Sequence, residues 1–339
     1  MKKILFLSLI ALGSSCKNGA LVATKNVDPT QYMKTISADD LKKHLYIIAA
    51  DSMEGRETGS TGQKKAGKYL ISQYQQNQVS FPKGASDFYQ VVPASFLNKK
   101  RNNNLPDSEN IWAFIEGSEK PEEVIVISAH YDHVGIENGD AFNGADDDGS
   151  GTSALLEIAQ AFQTAKKEGH GPKRSILFLH VTGEEHGLLG SRYYSENPLF
   201  PLANTVADVN IDMIGRRDAL HADTNNYVYI IGANRLSSEL DHISATMNQK
   251  YVGLDLDYRF NDPKDPNHFY ERSDHYNFAK FGIPSVFFFN GVHADYHKKS
   301  DEPNKIEYDA LEKRTQLAFV IAWELANRKD RIVVDVIKK

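Results

Sequence analysis

A single α/β domain is the fold this 339-residue sequence predicts, with a mixed, mostly parallel central sheet and helices on both faces. Three observations carry the prediction. Short apolar, β-branched runs such as Val124–Ser128 and Ser175–Val181 read as strands buried on both faces. Segments with apolar residues at helical spacing alternate with them, which is the pattern of a parallel sheet. No internal repeat is present, and the longest polar stretch, Asn98 to Glu109, reads as a surface loop.

The elements follow in order. Ser37-Ala38-Asp39-Asp40 has the form of a helix start, with Leu41, Leu45, Ile48 and Ala49 on one stripe. Ser60 and Gln63 form a second cap, followed by Ala66, Leu70 and Tyr74. Ile111–Ile115 and Val124–Ser128 are extended runs, and Ser150 to Thr164 is an amphipathic helix. Strands follow at Ser175–Val181, Thr205–Ile211 and Tyr227–Ile231, a helix at Ser237–Gln249 and a strand at Pro284–Phe289. Ile306 to Arg328 is a long terminal helix carrying Leu311, Leu317, Ile321 and Leu325.

Composition excludes several classes. The net charge is −6 and no long basic run occurs, so nucleic acid is not an expected partner. The single cysteine excludes an intrachain disulfide and any CxxC-based site, so a bound metal would need histidine and carboxylate ligands. Residues 1–15 place two lysines before an apolar stretch that ends in small residues, the layout of a secretory signal peptide. The apolar stretch is too short to span a bilayer comfortably. Cys16 follows directly, in a setting that resembles the lipobox of bacterial lipoproteins, where the cysteine is lipidated and becomes the mature N-terminus. The alternative is a plain signal peptide with an incidental cysteine. Either reading expects export, and the first makes the chain a cell-envelope lipoprotein that meets the membrane through Cys16 alone. Residues 16–31 then read as a polar tether and 32–339 as the folded domain.

The chemistry lies at strand ends, where open α/β sheets bind ligands. Val124–Ser128 runs into His130-Tyr131-Asp132-His133, and Asn143 to Gly151 (NGADDDGSG) follows just before a helix. Ser175–Val181 runs into Gly183-Glu184-Glu185-His186, Thr205–Ile211 into Asp212, and Pro284–Phe289 into Asn290 to His297. Imidazole and carboxylate donors without thiolate suit zinc in a catalytic site. The number of donors exceeds what one catalytic zinc needs and suits two metals sharing a bridging carboxylate. Taken singly, each piece has a plainer reading: Asp146 to Asp148 could be an acidic turn capping the next helix, and Glu184 and Glu185 surface acids. His180, inside an apolar strand, reads as a core histidine rather than a ligand.

Together the runs SAHYDHVG, NGADDDGSG, TGEEHGLLGS, NIDMIG and DYHKKSD resemble the co-catalytic zinc aminopeptidases of bacterial secreted type, over about Leu41 to Asn327 and in that family's order. The resemblance implies a zinc-exopeptidase fold of the phosphorylase/hydrolase-like type and two zinc ions per chain. Matched by motif, His130 and Asp212 would hold one zinc, Glu185 and His297 the other, and Asp147 would bridge both. Glu184 would act as general base and then acid, Asp132 would orient His130, and the Tyr296 hydroxyl would stabilise the oxyanion. His293 is the rival of His297, and the following Ser300-Asp301 favours His297. Arg272-Ser273-Asp274-His275 is also family-like, and we read it as positioning the site loop. The implied activity is hydrolysis of N-terminal residues from peptides. A glutaminyl cyclase with one zinc and a carboxypeptidase of the same superfamily are the alternatives, the latter requiring a basic residue such as Arg192, Arg216 or Arg272.

Overall fold

The computed structural model describes residues 27–99 and 104–336. The segment read as a signal peptide and Cys16 lie outside the described residues. Among those described, no helix is long and apolar enough to cross a membrane.

Among the described residues ten strands form: β1 (Tyr89–Val92), β2 (Ser108–Ile115), β3 (Lys120–His130), β4 (Gly135–Glu137), β5 (Asp140–Phe142), β6 (Arg174–Val181), β7 (Thr205–Ile211), β8 (Tyr227–Ile231), β9 (Asp255–Asp257) and β10 (Ser285–Phe289). Eight of them make one sheet in the order β1-β2-β6-β3-β7-β10-β8-β9, and β4 and β5 form a separate hairpin. The central strands β6, β3, β7 and β10 are parallel neighbours. On the flanks β2 pairs antiparallel with β6, and β8 antiparallel with β10. The sheet is therefore mixed with a parallel centre, as the sequence predicts. That parallel centre brings four carboxyl-terminal strand ends to one edge.

Alternation within the buried strands splits the core between the two faces. Ile176 and Phe178 of β6 pack under the helices Ala38–Ile48, Thr61–Gln76, Gly151–Lys167, Ser238–Met247 and Tyr308–Asn327. Leu177, Leu179 and Val181 point the other way, against Tyr194 of the helix Leu189–Glu196 and Phe278 of the helix His275–Lys280. The two predicted caps form. Ser37 accepts the amide of Asp40 and Ser60 that of Gln63, each satisfying a donor that the first helical turn leaves unpaired. A short helix, Thr30–Met33, places Tyr32 in the core stacked on Trp323, so packed structure begins just before the domain boundary drawn at residue 32. The stretch read as a loop up to Glu109 ends earlier, because β2 starts at Ser108.

Candidate metal centre

Four strand ends and one helix start supply the site. His130 is the last residue of β3, and Asp212 follows β7 directly. Glu184 and Glu185 lie in the turn after β6, and His297 in the loop after β10. Asp147 sits in an irregular turn, Ala145–Ser150, that feeds the helix Gly151–Lys167. Gly144 makes that turn feasible: its φ is +53°, and a Cβ there would lie 2.2 Å from the Asp147 carbonyl oxygen. His297 itself adopts a left-handed φ of 52°, a conformation that non-glycine residues keep only where the surroundings enforce it.

The structure brings the five motif residues together. Asp147 Oδ1 lies 3.2 Å from His130 Nε2, and its Oδ2 lies 3.0 Å from His297 Nε2. Asp212 Oδ1 is 3.6 Å from His130 Nε2, and Glu185 Oε2 is 3.1 Å from His297 Nε2. One carboxylate thus faces two histidines with its two oxygens. The flanking aspartates are engaged elsewhere. Asp148 Oδ1 accepts the amides of Gly151 and Met213, the helix-capping role open to this acidic turn. Asp146 accepts the Gly215 amide and lies 3.1 Å from His293. His293, the rival of His297, therefore points at a structural aspartate. The donor atoms of His130, Asp148 and Asp212 also fall within 4.8 Å of one another, but it is Asp147 that stands within 3.2 Å of His130 and 3.0 Å of His297.

Asp132 meets His130 chiefly through its main chain. His130 Nδ1 is 3.1 Å from the Asp132 carbonyl oxygen and 3.8 Å from its carboxylate. That carboxylate instead accepts the Thr58 hydroxyl and the Glu184 amide, which fixes the Glu184 backbone. Glu184 Oε2 stands 4.0 Å from His130 Nε2. The Tyr296 ring stacks on His297 with centroids 3.9 Å apart, and its hydroxyl accepts a hydrogen bond from Arg272 at 3.3 Å. Beside the cluster, Met213, Phe269, Phe287, Phe289 and Val292 give the cleft an apolar wall, with Arg272 and Tyr296 also lining it.

The electrostatics of the cluster follow from how closely its imidazoles and carboxylates are buried together. Burial alone would push His130 down, but Glu184, Asp147 and Asp212 hold it well above the usual imidazole range. His297, likewise resisting burial, is raised to about 10 by Asp147 and Glu185. Burial pushes Glu184 well above the carboxylate range, with Glu185 and Asp212 adding to it against the pull of His130. Imidazoles hold protons here because so many buried carboxylates need positive charge nearby. Bound dications would supply the same charge, and the histidine and carboxylate donors, free of thiolate, suit zinc.

Four residues position the site, of which only Ser273, through its RSDH stretch, was given that role from the sequence. Ser273 donates to Asp212 Oδ2 at 2.6 Å and accepts from Asn210, which leaves Oδ1 towards His130 and gives the family-like RSDH stretch a purpose. Asp301 Oδ2 accepts the amides of Asp146 and Asp147, tying the His297 loop to the acidic turn. The buried Arg56 donates to four main-chain carbonyls, and the buried His133 faces Glu185. Motif reading flagged Ser273, Asp301 and His133 by position, whereas Arg56 stood out only as part of the run Gly55-Arg56-Glu57-Thr58-Gly59, which the family resemblance places at the domain's start, with no site role. His180 is the core histidine its strand implies, bonded to the Tyr74 hydroxyl at 2.7 Å.

A mixed α/β sheet that gathers histidines and carboxylates at its parallel strand ends defines a metal-binding α/β protein of hydrolase architecture. Residues 110–322 match the model of peptidase family M28, and the chain belongs to that family. It is 29% identical over 225 residues to a probable leucine aminopeptidase of Trichophyton verrucosum, covering 64% of this chain and 57% of that one. It is 30% identical over 148 residues to a probable glutamate carboxypeptidase of Arabidopsis thaliana, covering 43% and 21% respectively. The chain thus spans little more than half of the first relative and about a fifth of the second. A zinc aminopeptidase from Bacillus subtilis superposes with a TM-score of 0.65 at 17% identity, over 89% of this chain and 99% of that one, which shows the shared fold.

Proposed function

We propose that this protein is a zinc-dependent aminopeptidase that hydrolyses N-terminal residues from peptides, with two zinc ions per chain. The observation that carries the reading is Asp147 presenting one oxygen to His130 and the other to His297. His130, Asp147 and Asp212 would hold one ion, and Asp147, Glu185 and His297 the other. When bound, the pair supplies a Lewis acid for the scissile carbonyl and lowers the pKa of water. Glu184, next to a ligand but not required as one, takes the water proton and passes it to the leaving amine. The Tyr296 hydroxyl, whose oxygen already accepts from Arg272, has its own proton free to donate to the developing oxyanion. The apolar wall of the cleft suits an apolar N-terminal side chain.

One observation favours a second reading. Arg272 lines the cleft, where it meets the Tyr296 hydroxyl and the Phe269 ring rather than a carboxylate, and so is available to seat a substrate carboxylate, as a carboxypeptidase requires. A panel of aminoacyl anilides and peptides with free and blocked ends, run beside zinc analysis of the purified protein, decides. Cleavage that needs a free N-terminus supports the aminopeptidase. Cleavage that needs a free C-terminus supports the carboxypeptidase, and one zinc with cyclisation of N-terminal glutamine would make the chain a cyclase. We further propose export and lipidation at Cys16, which intact mass analysis of the mature N-terminus tests.

A further inference from the structure

The cluster holds one donor more than the motif set accounts for. His133 is fully buried, with Nδ1 2.8 Å from Glu185 Oε1 and 3.9 Å from Asp147 Oδ2. Its ring centroid lies 5.6 Å from that of His297. The ring is fixed in place: the His133 amide donates to the Arg56 carbonyl, and a Cβ on Gly144 would come within 2.5 Å of the imidazole. Neither ring nitrogen has a hydrogen-bond partner among the described residues, although buried polar atoms normally have one.

The 2.8 Å separation of His133 Nδ1 and Glu185 Oε1 does not meet hydrogen-bond geometry. It is what two ligands of one small cation show, because donors about 2.0–2.1 Å from a tetrahedral zinc lie roughly 3.3 Å from each other. His297 Nε2 stands in the same relation to Asp147 and Glu185, at 3.0 and 3.1 Å. The donor atoms of His133, Asp147 and Glu185 all lie within 4.8 Å of one another.

We propose that His133 is a further ligand of the cation held by Asp147, Glu185 and His297. This rests on the two-cation reading above and makes the two positions unequal. One has three protein donors, the arrangement that keeps a coordination place open, and Glu184 stands beside it. The other gains a fourth protein donor, which holds its metal more tightly. The four-donor position fills first and empties last.

Stepwise chelation followed by metal analysis, with the absorption spectrum of the cobalt-loaded protein, tests this without reference to turnover. The wild type is expected to lose one ion readily and hold the other at least 100-fold more tightly. His133→Ala should weaken the tight position by more than the 10–100-fold typical of losing an outer partner, and should change the cobalt spectrum. A folded His133→Ala that binds two ions with unchanged affinities and an unchanged spectrum overturns this proposal and leaves the two-cation reading standing. A wild type that binds no second ion overturns both. If His133→Ala does not fold, His133→Cys decides: a thiolate-to-cobalt charge-transfer band supports ligation, and its absence in the folded, two-cobalt protein contradicts it.

Discussion

Replacing Arg56 by methionine removes the clamp that holds two site segments together. Arg56 is completely buried, and its Nε donates to the Tyr131 carbonyl at 2.9 Å. Nη1 donates to Ile48 at 2.9 Å and Asn143 at 2.6 Å, and Nη2 to Gly144 at 2.9 Å. These carbonyls belong to the segment after β3, to the end of the helix Ala38–Ile48, and to the approach to Asp147. Methionine fills much of the volume but leaves four buried carbonyls without this donor. Each such loss costs about 1–3 kcal/mol, so even the low end gives about 4 kcal/mol. The guanidinium also lies near Asp132, Asp147, Asp148 and Asp301, whose charges favour its protonated form against burial. At about 2 °C per kcal/mol for a chain of this size, Tm should fall by about 8 °C or more. Arg56→Lys keeps the charge without the planar fork, so it should recover part of the loss. Thermal unfolding by circular dichroism, with urea titration alongside, measures both. A methionine variant within about 2 °C of wild type would refute the idea that these four bonds assemble the site.

Three other outcomes follow. Glu184→Gln should retain the wild-type metal content, as measured by plasma mass spectrometry, while turnover falls by about 10²–10⁴-fold; near-normal hydrolysis would remove Glu184 from its proton-transfer role. Tyr296→Phe should lower kcat by about 10²-fold with little change in KM, and an unchanged kcat in steady-state kinetics would rule out oxyanion donation. His180, held at about 3 by burial, stays neutral in the folded protein while the unfolded chain takes a proton near pH 6.5. Stability should therefore fall as pH drops from about 6.5 towards 3, by about 1.4 kcal/mol per pH unit from this group, or about 2 kcal/mol by pH 5. In denaturant unfolding at pH 7 and 5, His180→Gln should show a shallower decline; an unchanged slope would contradict the assignment.

Much of the architecture was legible because its causes are local. Apolar runs buried on both faces marked β3, β6, β7 and β10, and the cap at Ser37 or Ser60 depends on residues within one turn. The site motifs were legible because each follows a strand, and parallel strands put their ends on one edge. Strand direction was not readable at the flanks, since β2 is as apolar antiparallel to β6 as it would be parallel. The edge strand β1 escaped because four residues carry too little periodicity. Arg56 escaped because its partners lie 8 to 88 residues away and are all main-chain carbonyls, which leave no trace in side-chain identity. His133 was visible beside a motif, but only packing against Glu185 from another strand end shows which way it faces.

The most direct measurement is the zinc content and stepwise affinity of the purified protein compared with its Asp147→Ala variant. Because one carboxylate serves both positions, we expect two zinc ions per wild-type chain and weakened binding of both in the variant. A variant that still binds two ions with wild-type affinities would contradict the shared-aspartate centre.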